Sequence, residues 1–99
     1  MQPVDLHHLA TQTGGDNVLE AEVLRLFADR SVADLARLKA AAPAARPAVA
    51  HLLVGSARAI GAEDVAARAR AVEAGEGDIA PLEQAIAEAR AFIARYLGQ

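Results

Sequence analysis

The chain contains no cysteine. That absence excludes a disulfide framework, a thiolate metal site and a cysteine nucleophile, and it suits a reducing compartment. Aromatic residues are almost as scarce, limited to Phe27, Phe92 and Tyr96. With few aromatic or β-branched residues and alanine the commonest residue, strands are disfavoured and helices favoured. A strong excess of charge of either sign is missing too. The net charge is -3 with both signs interspersed, so no electrostatic footprint for nucleic acid is present. No apolar run reaches the ~18 residues of a membrane span. The opening residues Met1, Gln2, Pro3, Val4 and Asp5 lack the basic region and apolar run of a signal peptide. A cytoplasmic protein, independent of membrane and nucleic acid, is the expectation.

What is present is enough for one core. The 99 residues fit a single domain spanning 1–99, and 54% are apolar, far from the composition of a disordered chain. Glycines and prolines mark four breaks, at Gly14-Gly15-Asp16, Pro43 to Pro47, Gly61, and Gly75 to Asp78. Between them the periodicity predicts a short helix over 4–11 and longer ones over 17–41, up to 60, over 62–74 and over 78–97.

Several faces can be read directly. Leu6, Leu9 and Ala10 share one side of the first helix. In the second, Leu24, Phe27, Ala28, Leu35 and Leu38 form one stripe, while Leu19, Val23 and Leu26 broaden its N-terminal half toward a second neighbour. Val65, Ala66, Ala69 and Val72 line the fourth helix; Leu82, Ile86, Ala89, Ile93 and Tyr96 line the fifth. Pro43 or Pro47 can open the third helix, because the first turn tolerates a missing N–H. Short connections favour antiparallel neighbours, so the expected fold is all-α, an up-down antiparallel four-helix bundle with a short additional N-terminal helix.

The third helix carries the chemistry. At ~100° per residue, Leu52, Leu53, Ser56 and Ile60 fall within roughly 60° of Val49, which predicts a buried stripe. His51 and Arg58 fall opposite it, and Val54 and Gly55 flank them. A glycine on an exposed helix face costs ~1 kcal/mol against alanine, so Gly55 points to something that must approach the imidazole closely. Imidazole changes charge near neutral pH, and a neutral, solvent-facing ring is a nucleophile able to attack phosphorus. Phosphoryl transfer depends mainly on positioning and on stabilising charge on the equatorial oxygens, which Arg58 could supply.

Other candidates read as structural. His7 and His8 point ~100° apart, with no third ligand in sequence, and are expected to be a solvated helix end. Ser56 is expected to back-bond to the carbonyl four residues earlier. Gly14-Gly15-Asp16 lacks the strand before it and the Gly-Lys-Ser/Thr after it that a phosphate loop needs. Glu73, Glu76 and Asp78 read as a solvated acidic run.

The stretch Ala50-His51-Leu52-Leu53-Val54-Gly55-Ser56-Ala57-Arg58-Ala59-Ile60-Gly61-Ala62 resembles the phosphorylation motif of histidine phosphotransfer (HPt) domains, H-x-L-K-G-S-[SA]-x-x-x-G-[AL]. His51, Leu53, Gly55, Ser56, Ala57, Gly61 and Ala62 match in type and spacing. Leu9 to Asp16 resembles the family's short first helix and turn, Leu24, Leu26 and Phe27 its second helix, and Glu73 stands where its fourth helix often carries glutamate. The resemblance implies a bundle in which His51 accepts a phosphoryl group from an aspartyl phosphate on a receiver domain and delivers it to a second receiver. Receivers of a hybrid sensor kinase or a response regulator would be the partners. The chain itself would be a monomeric phosphocarrier rather than an autonomous enzyme, holding no metal or other cofactor, with Mg²⁺ on the partner. Pro47, Val54, Gly55 and Arg58 would form the docking face, with Arg58 and Gly55 supporting the phosphoryl site. One departure stands out, since the family's lysine three residues after the histidine is Val54 here. Arg58 is expected to replace part of that charge. The alternative is an HPt-like binding module that docks receivers or kinases without efficient transfer.

Overall fold

Two aspartates start the first two helices. In the computed structural model, which describes residues 2–98, Asp5 accepts a hydrogen bond from the N–H of His8 at the head of α1 (Leu6–Thr13). Asp16 accepts from the N–H groups of both Val18 and Leu19 at 3.0 Å, opening α2 (Asn17–Ala40). Each satisfies donors that the first helical turn leaves without partners. The prolines of the next break divide the work. Pro43 begins a single 3₁₀ turn (Pro43–Ala45), and Pro47 sits in the first turn of α3 (Arg46–Ile60).

Gly61 ends α3 at a φ of 76°, and its carbonyl accepts from the N–H of Asp5 at 2.9 Å. A Cβ there would lie 2.9 Å from the Cβ of Asp5 and 3.0 Å from its carbonyl oxygen. Both the left-handed backbone and the close approach therefore demand glycine. α4 (Glu63–Glu73) follows at once, and α5 (Ile79–Tyr96) carries Pro81 in its first turn.

The described residues are helical with no strand. α2 packs on α3, α3 on α4, α4 on α5, and α5 back on α2, while α1 lies against α2 and α3. The Cα radius of gyration is 13.1 Å, that of a compact chain of this length. No helix among the described residues is long and apolar enough to cross a membrane.

The predicted stripes of α4 and α5 are buried, apart from Tyr96, as are Leu24, Phe27, Leu35 and Leu38 of α2. Leu9 of α1 is buried, and Leu6 and Ala10 are half-buried beside it. Leu19 and Leu26 do not gain the second neighbour expected of them and remain exposed; only Val23 packs against the core.

α3 requires a larger correction. Its buried residues are Ala50, Leu53, Val54, Ala57 and Ile60. Leu52 is half-exposed at 50%, and Val49 and Ser56 lie at the edge. The inward face is thus rotated toward Val54 from the one that bulk hydrophobicity predicts. Alanine is the reason. α3 buries Ala50 and Ala57, α4 buries Ala66 and Ala69, and Ala62 is buried in the turn between them. The two helices pack on each other, and small side chains let two helices approach closely and still exclude water. A stripe drawn through the largest side chains misses such a face.

Candidate functional site

His51 stands in the second turn of α3 with its side chain 72% exposed. Its Nδ1 lies 2.7 Å from Oε2 of Glu73, the last residue of α4. An ionised carboxylate only accepts hydrogen bonds. Nδ1 therefore donates its proton, and in the neutral ring the free lone pair resides on Nε2. A carboxylate held on one imidazole nitrogen orients the ring and makes the other nitrogen a better nucleophile or ligand. The pair forms across the short Gly61-Ala62 turn, with His51 ten residues before Gly61 and Glu73 eleven after Ala62.

Glu73 is not the solvated acid that its position beside Glu76 and Asp78 implies. A negative side chain at the last residue of a helix faces unpaired carbonyls and opposes the helix dipole, at a typical cost of 0.3–1 kcal/mol. Local helix electrostatics give no reason for it; the bond to His51 does. A usable signal was in the sequence, because residues equally far from a tight turn between antiparallel helices meet across it.

Gly55 follows one turn after His51. A Cβ built on it meets nothing within 4 Å. No internal contact and no backbone conformation requires glycine here, so the open space above it belongs to the surface. Gly55 and Gly61 are thus opposite cases, one open on the outside of the helix and one locked against Asp5.

Val54 is only 5% exposed and packs inward with the core. It offers nothing to a docking partner, which corrects its expected place on the exposed face. Pro47 is exposed, and with Arg46, Val72 and Gly75 it lines a shallow groove beside the residue that precedes Glu73. Arg58 is exposed on the same edge of α3 as His51. Seven residues separate them, about 10 Å along the helix axis.

The remaining candidates settle into structural roles. Ser56 donates to the carbonyl of Leu52 at 3.1 Å, four residues back, as its position predicts. His8 is half-buried rather than solvated, and its Nε2 donates to the carbonyl of Arg58 at 3.0 Å, tying α1 to the end of α3. Among the described residues, no three His, Asp or Glu side chains gather in a way that could hold a metal ion.

A second pairing of carboxylate and ring joins α2 to α5. The hydroxyl of Tyr96 donates to buried Glu20, and this bond, followed by burial and the repulsion of the carboxylate, raises the phenol above its ordinary range.

No family model, curated protein or solved structure matches this chain.

Proposed function

We propose that this chain is a phosphocarrier of the HPt kind, taking a phosphoryl group on Nε2 of His51 from a receiver's aspartyl phosphate and passing it to a second receiver. The observation that carries this reading is the His51–Glu73 pair, which leaves Nε2 free on a ring that is 72% exposed. Two further features support it. Gly55 and Glu73 each cost their helices stability, and such local costs concentrate at functional sites. The closed order of contacts, α2 to α3 to α4 to α5 and back, suits an up-down antiparallel four-helix bundle with α1 appended.

In the transfer, the Nε2 lone pair attacks phosphorus as the P–O bond of the acyl phosphate breaks. The aspartate carboxylate leaves with the bonding electrons. The ring then carries a phosphoryl group on Nε2 and a proton on Nδ1, and its positive charge lies against the Glu73 carboxylate. The reverse displacement by a second receiver's aspartate returns the neutral ring. The carrier needs no cofactor of its own, because Mg²⁺ would belong to the receiver; the chain would work as a cytoplasmic monomer.

Val54 favours a second reading, a module that docks receivers without turnover, because the family's lysine is replaced by a buried residue. Incubation with a phosphorylated receiver separates the two. A carrier acquires an acid-labile, alkali-stable label that His51→Gln abolishes. Binding without label on the wild-type chain, across the receivers encoded beside it, would leave only the docking module.

A further inference from the structure

The phosphoryl group placed on Nε2 needs a cation that α3 does not supply at the usual position, since Val54 is buried. We propose that Arg70 of α4 is the residue that faces this group across the α3–α4 contact. The assignment rests on the carrier reading above and adds a residue to it.

Glu73 marks the edge of α4 that meets α3, because its carboxylate reaches His51. The buried residues Val65, Ala66, Ala69 and Val72 define the inward direction of the same helix. By helical rotation of ~100° per residue, Arg70 lies about 60° beyond Glu73 on that same edge and farther from the core. It is one turn away, about 4.5 Å along the axis. By the count that pairs His51 with Glu73, Ala69 stands opposite Gly55, the position whose missing side chain leaves open space, and Arg70 is the next residue. Arg70 thus borders the space over Gly55, and His51 lies one turn farther along.

Arg70, like Arg58, carries a charge that no acidic side chain among the described residues neutralises. Arginine and glutamate three residues apart on a helix commonly pair, but Glu73 is held by His51 instead. Arg37 pairs with Asp34, Lys39 with Glu83 and Arg68 with Asp64, whereas Arg70 is exposed with no acidic partner among the described residues. A guanidinium presents a planar fork of donors that matches phosphoryl oxygens. Arg58 is the competitor, at about 10 Å along α3.

An arginine in the last turn also favours α4 electrostatically. That role would register in helix stability and leave a phosphoryl group on His51 unaffected. The test therefore reads the phosphoryl group itself. The full chain is phosphorylated with potassium phosphoramidate, whose P–N bond breaks as ammonia leaves and the bond from Nε2 to phosphorus forms. The ³¹P resonance absent from His51→Gln is then titrated with pH in the wild type, Arg70→Ala and Arg58→Ala. A nearby guanidinium favours the dianion. Arg70→Ala should therefore move the second phosphoryl ionisation upward by about half a pH unit, the scale of one partly exposed charge, and Arg58→Ala should leave it in place. Coincident titrations of wild type and Arg70→Ala would overturn the assignment while the carrier reading stood, as would a shift in Arg58→Ala alone. A wild-type chain that takes no phosphoryl group at His51 would remove both.

Discussion

Two contacts in this molecule pair a glutamate with a ring on another helix, and they differ in what they leave free. Between α2 and α5, Glu20 is buried and accepts the proton of Tyr96. The phenol has one polar atom, and that atom is committed. Between α3 and α4, Glu73 engages one nitrogen of a ring that has two. The first pair fastens the end of α5 to the beginning of α2. The second orients an exposed ring and leaves the lone pair of its other nitrogen free. Similar bonding thus yields a committed polar atom in one place and a free one in the other, and the deciding factors are the second ring nitrogen and the exposure of the ring.

This contrast can be broken by exchanging the losses. Glu73→Ala should reduce the rate of phosphoryl uptake by about tenfold or more, the range typical for removing a group that orients a reactive ligand. Folding stability should hold within about 0.5 kcal/mol, since the dipole penalty at the end of α4 disappears with the carboxylate. Glu73→Gln, which can still accept from Nδ1 without the charge, should fall between. Denaturant melts run beside transfer kinetics check both; a large loss of stability with transfer unchanged would make the pair structural.

Tyr96→Phe should do the reverse. It deprives a buried carboxylate of its donor and should cost about 1–2 kcal/mol, measured as a lower denaturation midpoint, with phosphoryl transfer at the wild-type rate. Gly55→Ala should sharpen the difference from the site's side. With nothing within 4 Å of the added Cβ, the helix should gain up to ~1 kcal/mol, while transfer slows because the new methyl occupies the approach to His51. Equal or faster transfer would show that the open space has no functional use.

The smallest effect concerns pH. Because folding raises the pKa of Tyr96, mainly through its bond to Glu20, the folded chain holds that proton more tightly than the unfolded one. The contribution is fully present below the ordinary tyrosine value and declines as pH rises through the raised one. Stability measured from neutral pH into the strongly alkaline range should therefore fall in the wild type, and that component should be absent from Tyr96→Phe.

The sequence carried a good deal of this. Helix identity, the boundaries at Asn17, Ile60 and Gly61, and the buried stripes of α4 and α5 follow from caps, glycines and periodicity, all of which act over a few residues. His51 and Gly55 are legible for the same reason, because exposure on a single helix is a matter of rotation, and the bond of Ser56 to Leu52 is legible because it stays within one turn. Leu52 and Val54 were placed on the wrong sides because rotation needs a reference direction, and the bulky residues gave a misleading one. Ala50 and Ala57 weigh little on any hydrophobic scale, yet they belong to the buried face of α3.

What only the tertiary structure decided is which groups meet between helices. Glu73 and Glu76, three residues past the end of α4, carry the same side chain; what separates them is the distance of 2.7 Å from Glu73 to a ring 22 positions earlier in the chain. The same holds for Glu20 and Tyr96, which lie 76 positions apart. Periodicity fixes the direction a side chain takes from its own helix axis. The partner it finds depends on the register and separation of two axes, and no single helix contains that information.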